Sequence, residues 1–331
     1  MAQSNSSFSR PVAFITGASS GIGAAASSVF AAAGYDVALA ARRRERLEQV
    51  AVETRAACPA AQALPVVCDV TSDLSVQEAF RAVEGQFGRL DVLINNAGFG
   101  MYGAVAQTPL DSFRANMETN FFGVLRCTQA ALPLLRRAVQ NQLPLPQPPP
   151  AAGRGPGGGP PARGGGEVQN ARETENRMAG AAPDSRRVHI RGTKRARRWG
   201  ASIVMVSSFV GRRGLPLMGA YCASKFALEG LSESLRVELH DEGIAVSVVN
   251  PGVTQTGFFK AALGARPAQN ISPELGMSPE AVAQVLLQAA RRPCRNRYLT
   301  WAGKGGMALQ WLAPSVLDYL LVHAQRKASD R

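Results

Sequence analysis

Seven residues near the start of the chain, Gly17-Ala-Ser-Ser-Gly21-Ile-Gly23, constrain its fold more than any others. They follow a short apolar run, residues 11–16, that suits a buried strand. They lead into an alanine-rich stretch that reads as a helix to about Ala33. A glycine turn between strand and helix lets backbone N–H groups approach a pyrophosphate, and the helix N-terminus offers an anion a favourable potential. An ordinary strand-to-helix turn also favours glycine, but three at this spacing select the nucleotide reading, with Ser19, Ser20 and Ile22 in the same loop. Further apolar runs at 35–40, 64–68, 90–94, 203–206, 244–249 and 298–301 alternate with helical patterns. Such repetition implies an α/β fold: a doubly wound parallel sheet of about seven strands with helices on both faces. Ligands of these sheets bind beyond the carboxyl ends of the strands. The glycines follow the first strand, Asn96 the fourth, Ser208 the fifth and Pro251 the sixth, so all converge there.

One of those ends carries an acid/base device. If the segment Tyr221-Cys-Ala-Ser-Lys225 is helical, Tyr221 and Lys225 lie one turn apart on one face. A cation held near a phenol favours the phenolate, so a group with a reference pKa of about 10 exchanges protons nearer neutrality. Ser208, thirteen residues before the tyrosine, supplies a hydroxyl to hold a carbonyl or carbinol oxygen. Ser207 is the alternative.

Thr16-Gly17-Ala-Ser-Ser-Gly21-Ile22-Gly23, Asn95-Asn96-Ala97-Gly98, Ser208, Tyr221-x-x-x-Lys225 and Pro251-Gly252 occur in the order and spacing of one family. Together they resemble the short-chain dehydrogenase/reductases, in their common single-domain branch, from about Arg10 to about Phe258. The resemblance implies a Rossmann-type fold, a nicotinamide dinucleotide and hydride transfer between a carbonyl and a secondary alcohol. It implies Tyr221 as proton donor, Lys225 on the nicotinamide ribose as well as near the phenol, and Ser208 on the carbonyl oxygen. Asn120 matches the family's helix asparagine, which supports a proton relay from the lysine. Asp69, with Val70 beside it, resembles the position that meets adenine, although a helix N-cap at Asp69 or Thr71 competes with that role. Asn96, Ala97 and Gly98 bring small residues and backbone to the cofactor. Pro251, Gly252, Thr254 and Thr256 resemble the segment that touches the nicotinamide. No metal site is read from the sequence, and a homo-oligomer, dimer or tetramer, is the family's habit.

The second strand ends Leu39-Ala40-Ala41-Arg42-Arg43-Arg44. An NAD enzyme usually places an acidic residue here to accept from the ribose hydroxyls; Ala41 holds that position. Arginines suit a phosphate, and cations at a helix N-terminus call for an anion. The expected cofactor is NADP(H) rather than NAD(H), with Arg42 first and Arg43 next at the 2′-phosphate.

Residues 138–200 depart from the family. They hold nine of the 21 prolines and eleven of the 33 glycines, too many for a packed element. They read as a disordered insertion within one domain, 10–331, whose core is 10–137 and 201–257. The insertion carries 11 Lys/Arg against 4 Asp/Glu, so +7 of the net +13 lies within it. Before Trp199 it has no aromatic residue on which bases could stack, which disfavours nucleic acid. Residues 258–331 are expected to form a substrate lid, around 260–278, and a C-terminal extension. Its apolar stretch from Met307 is first expected to pack in the core. Closing a lipophilic pocket, pairing subunits or resting on a membrane are the other readings. No apolar run reaches the length of about 18 residues a membrane span needs. Five scattered cysteines and a polar start without a signal segment suggest a reducing, cytoplasmic setting. The function expected is an NADP(H)-dependent oxidoreductase for a small carbonyl or alcohol. Epimerase or lyase chemistry on the same fold, and a polyanion-binding scaffold, are the alternatives.

Overall fold

The apolar runs become strands because helices cover both faces of the sheet, leaving neither side wet. A computed structural model of the chain describes residues 10–141, 199–258, 262–264, 276–300, 305 and 309–329. Strands β1 (Val12–Thr16), β2 (Asp36–Ala41), β3 (Ala63–Val67), β4 (Val92–Asn95), β5 (Ala201–Val206), β6 (Ile244–Asn250) and β7 (Asn296–Tyr298) form one parallel sheet. Their order is β3-β2-β1-β4-β5-β6-β7. The chain winds outward from β1 in both directions, which places the switch point between β1 and β4.

Side chains alternate across the sheet, as the strand period of two requires. Val12 and Phe14 join the layer of α3 (Asp73–Phe87), α5 (Gly123–Gln140) and α6 (Gly219–Glu238). Ala13 and Ile15 join that of α1 (Gly21–Ala32), α2 (Arg44–Ala57) and α7 (Pro279–Arg291). Phe14 stacks on Phe80 of α3 with ring centroids 4.5 Å apart. Burying a side chain of this kind contributes roughly 1.5–3 kcal/mol. Local chemistry sets the helix ends. Ser72 caps α3 by accepting from the Ser75 amide at 3.3 Å, and Gly88, with φ +68°, ends it in the left-handed conformation that glycine tolerates.

Three expectations change. The insertion was placed from residue 138, but α5 runs on to Gln140, with Ala138 buried beside Leu134 and Leu135 and Val139 against Gly200. The disorder expected of this stretch concerns 142–198, outside the described residues. The last strand is Asn296–Tyr298, not 298–301: an edge strand with half-buried positions accepts Asn296 and Arg297, which an apolar-run reading passes over. Finally, the C-terminal segment does not pack in the core. Pro314 opens a helix, α8 (Pro314–Ser329), as proline at a first helical position does, with α4 (Leu110–Met117) the remaining helix named. Its apolar residues lie on all sides, so only one side packs. Leu312 is 85% and Tyr319 70% exposed, while Leu317 and Leu321 are half-buried. Arg213 fixes the segment, donating to Gln310 at 2.8 Å and pairing with Asp318. The expected lid, 260–278, lies mostly outside the described residues.

Candidate active site

A cleft of about 1010 Å³ runs along the carboxyl ends of the strands. The expected site residues line it, except Gly23 and Asn120, which stand directly behind its wall. At the β1–α1 junction, Ser20 occupies the N-cap of α1 but makes no side-chain cap hydrogen bond, and the first turn holds no acidic residue. Those amides suit an anion. A methyl at Gly23 would meet the Gly17 carbonyl oxygen at 2.4 Å, so only glycine lets helix and loop approach this closely. Asn96 spends its side chain on the fold. Its Nδ2 donates to the Thr16 carbonyl at 2.9 Å, while Thr16 Oγ1 accepts from the Asn96 and Ala97 amides at 2.9 Å each. The ends of β1 and β4 are thereby stitched together beneath Ala97 and Gly98.

Arg42 and Arg43 both face the cleft after β2. Arg43 Nη2 donates to Ser19 Oγ at 3.0 Å and Ser20 Oγ at 3.4 Å, joining the glycine loop to this corner. Asp69 also lines the cleft, and neither it nor Thr71 is the N-cap of α3, which is Ser72. Asp69 Oδ1 accepts from the Thr71 amide at 3.0 Å and from Thr71 Oγ1 at 2.8 Å. Partial burial would raise its pKa, but these bonds and the charge of Arg42 outweigh it and hold the carboxyl below its ordinary value.

On the other side of the switch point, Tyr221 and Lys225 lie in the first two turns of α6, buried, as their spacing predicts. The Tyr221 hydroxyl lies beside the Ser208 side chain, and its ring packs against Phe258 with centroids 5.7 Å apart. Ser208 is the N-cap of the 3-10 turn Phe209–Gly211. Lys225 Nζ donates to the Val206 carbonyl at 2.9 Å and lies 5.8 Å from the Tyr221 ring centroid. The expected lowering of the tyrosine pKa is not seen in this arrangement. Burial pushes the phenol above its usual range, and the neighbouring Ser208 hydroxyl offsets this only in part. Burial also brings the Lys225 ammonium down to about 8, with the charge of Glu229 opposing the fall.

Asn120 sits in a single π-helical turn, Glu118–Phe122, between α4 and α5 rather than in a regular helix. Such turns often mark functional positions. It is fully buried; Oδ1 accepts from the Phe99 amide at 3.0 Å, and Nδ2 lies 3.0 Å from the Phe99 carbonyl and 3.1 Å from Ser224 Oγ. A methyl at Gly98 would stand 2.8 Å from Asn120 Oδ1 and 3.9 Å from Lys225 Nζ, so glycine there lets both groups approach. Thr254 and Thr256 follow β6. Thr254 Oγ1 donates to the Gly252 carbonyl at 3.2 Å, and a methyl at Gly21 would meet the Thr256 methyl at 3.0 Å.

Sequence reasoning passed over a buried hub one turn beyond the lysine. Glu229 is 3% exposed. Its Oε2 accepts from Arg212 Nη2 at 3.1 Å, and the Ser207 side chain lies beside the same carboxylate. With its amide nitrogen turned toward the available acceptors, Asn250 donates to Glu229 Oε1 at 3.0 Å and to the Ser208 carbonyl at 2.9 Å. Asn296 of β7 donates in the same way to Oε2 at 3.1 Å. The only available signal was an acidic residue one turn past Lys225, which on most helices is a solvated face.

Seven parallel strands wound about a glycine loop define a nucleotide-binding α/β protein. The sequence model of the short chain dehydrogenases matches residues 11–142 and 192–266. The chain belongs to the short-chain dehydrogenase/reductase family and is an oxidoreductase of that family. It is 29% identical over 325 residues to dehydrogenase/reductase SDR family member 7B of Bos taurus, covering 96% of this chain and 82% of that protein. It is 29% identical over 248 residues to the 3-ketodihydrosphingosine reductase of Bacteroides thetaiotaomicron, covering 75% of this chain and 65% of that one. The fold matches an alcohol dehydrogenase from the archaeon Thermococcus sibiricus complexed with 5-hydroxy-NADP, with a TM-score of 0.61 and 23% identity over 87% of this chain and 94% of that one. It also matches a 3-ketoacyl-(acyl-carrier-protein) reductase from Brucella melitensis complexed with NADH, with a TM-score of 0.63 and 21% identity over 87% and 96%. Among the described residues no helix is long and apolar enough to cross a membrane.

Proposed function

We propose that this protein is an NADPH-dependent reductase that converts a carbonyl to a secondary alcohol. The observation that carries the reading is the buried Tyr221, beside Ser208 and one helical turn from Lys225, at the cleft. Two of the similar proteins are named reductases, which supports the direction. The uncapped start of α1 and the close-packed glycines fit the pyrophosphate of a dinucleotide. Arg42 and Arg43 suit a 2′-phosphate, and Ala41 leaves no carboxylate to repel it. A reduced nicotinamide, when bound, supplies the hydride to the carbonyl carbon.

The chain's own groups do the rest. Ser208 and the Tyr221 hydroxyl hold the carbonyl oxygen as negative charge develops on it. Tyr221 then gives up its proton, and burial, which disfavours a bare phenolate, keeps that proton on the phenol until charge appears beside it. The Lys225 ammonium steadies the phenolate left behind and suits ribose hydroxyls, and Asn120 holds the backbone at Phe99 behind Gly98. Following the cofactor at 340 nm against a panel of ketones and aldehydes tests the reading. Failure to consume either NADPH or NADH with any carbonyl would overturn it, whereas an epimerase would leave the nicotinamide balance unchanged.

Two further results are expected. Lys225 must be charged, and its pKa is about 8. Reductive kcat/KM should therefore be flat below that pH and fall about tenfold per unit above it. A pH profile extending level to pH 10 would remove Lys225 from the mechanism. In Glu229→Gln the lysine loses its supporting charge, so the fall should begin at lower pH, with kcat/KM at pH 8 down roughly threefold to tenfold. Arg212 keeps Glu233 as a partner at 2.6 Å, so this variant should stay folded by circular dichroism.

A further inference from the structure

We infer that the substrate arm of the cleft takes an uncharged ketone carrying a long apolar chain, whose tail extends from Tyr221 to α8. The inference rests on the reductase reading and names the substrate class of that site. Three segments form the wall beyond Tyr221, and backbone hydrogen bonds tie them together. The Gly103 amide donates to the Leu217 carbonyl at 2.8 Å, and the Tyr102 amide to the Leu263 carbonyl at 2.8 Å. Their side chains in the cleft include Phe99, Phe209, Leu215, Leu217, Phe258 and Leu263. Leu321 and Ala324 of α8 line the same cleft.

Charge is distributed unevenly around this lining. Among the described residues only Arg42, Arg43, Asp69 and Lys225 carry it. The first three follow β2 and β3, on the far side of the switch point from Tyr221, and Lys225 is bonded to the Val206 carbonyl. A carboxylate or phosphate on the tail would meet no cation among the described residues that line the apolar wall, since Arg213 of the same segment is spent on Gln310 and Asp318, and burying it there would be unfavourable.

Leu217 supplies an independent observation. Its φ is +62°, and it is the one described residue other than glycine with positive φ. Glycine or asparagine adopts that conformation readily, whereas a leucine there is strained. The fold holds a strained apolar side chain in the cleft wall, pinned through its carbonyl by Gly103, and strain of this kind collects where a side chain is used.

The test uses the full chain with NADPH and the methyl ketones from 2-butanone to 2-decanone. kcat/KM should rise by about fourfold per added methylene over the first several. 9-Oxodecanoate, of the same length with a terminal carboxylate, should fall at least about tenfold below 2-decanone. Leu217→Asn and Leu321→Glu should each reduce the 2-decanone to 2-butanone ratio of kcat/KM by about tenfold. Leu217→Asn should melt no lower than the parent, since asparagine accepts the left-handed backbone. A flat chain-length series, or 9-oxodecanoate turned over as well as 2-decanone, would overturn the inference while leaving the reductase reading intact. So would an unchanged ratio in both variants. If no carbonyl is reduced with either cofactor, the reductase reading fails and this inference with it.

Discussion

Replacing Tyr221 with phenylalanine should lower kcat for ketone reduction by roughly 10³- to 10⁴-fold, the upper range for removal of a positioned general acid. The substitution is almost purely chemical. The ring stays where it is, packed against Phe258 at 5.7 Å in the small cluster of Met101, Val210, Ala220 and Cys222. What goes is one hydroxyl beside Ser208. A hydrogen bond is worth about 1 kcal/mol at most here, and removing a buried polar atom offsets part of that, so the melting temperature should barely move. NADPH should still bind, measured by quenching or calorimetry, because the loop from Gly17 to Gly23 and the arginines are untouched. A rate within a factor of ten of the parent would show that the proton comes from elsewhere.

The second large effect concerns the cofactor. Arg42→Ala combined with Arg43→Ala should weaken NADPH binding by roughly 10²-fold or more, since each charge-assisted hydrogen bond to a phosphate contributes about 1.5–3 kcal/mol. NADH binding should change little, so the variant loses its preference rather than its fold. Arg43 also reaches Ser19 and Ser20, and its loss slackens the glycine loop slightly for both cofactors. The ratio of the two dissociation constants is therefore the quantity to follow. If the intact protein binds NADH as tightly as NADPH, the assignment of these arginines is wrong.

Much of this architecture was legible from residue types because backbone demands are written directly into them. Gly17, Gly21 and Gly23 announce a close approach that no side chain permits, and buried parallel strands read as plain apolar runs. The Tyr221–Lys225 pair was legible because helical spacing fixes which residues share a face. Features that depend on partners distant in sequence were not. Nothing local to Asn120 distinguishes a π-helical turn from an ordinary helix, because the bonds that stabilise it come from Phe99 and Ser224. Asn96 lines the cleft, but nothing local shows that its side chain is tied to the Thr16 carbonyl. Glu229 looks like a surface acid because Arg212, Asn250 and Asn296 reach it from three other segments. Polar Asn296 and Arg297 concealed an edge strand, and the strain at Leu217 carries no sequence signature at all.

The hub at Glu229 has a consequence for how such an enzyme diversifies. Asn250 closes β6 immediately before Pro251, and it bonds at once to Glu229 and to the backbone of Ser208. Ser208 and the segment that carries Thr254 and Thr256 are thus registered against one another through Asn250 and the buried Glu229, with no substrate atom taking part. In the proposed reduction, alignment would be built into the scaffold, while selectivity would fall to a wall of separate loops and an outlying helix. Mutations in that wall can retune what is accepted without disturbing the registration beneath it, so the two properties are free to drift at different rates.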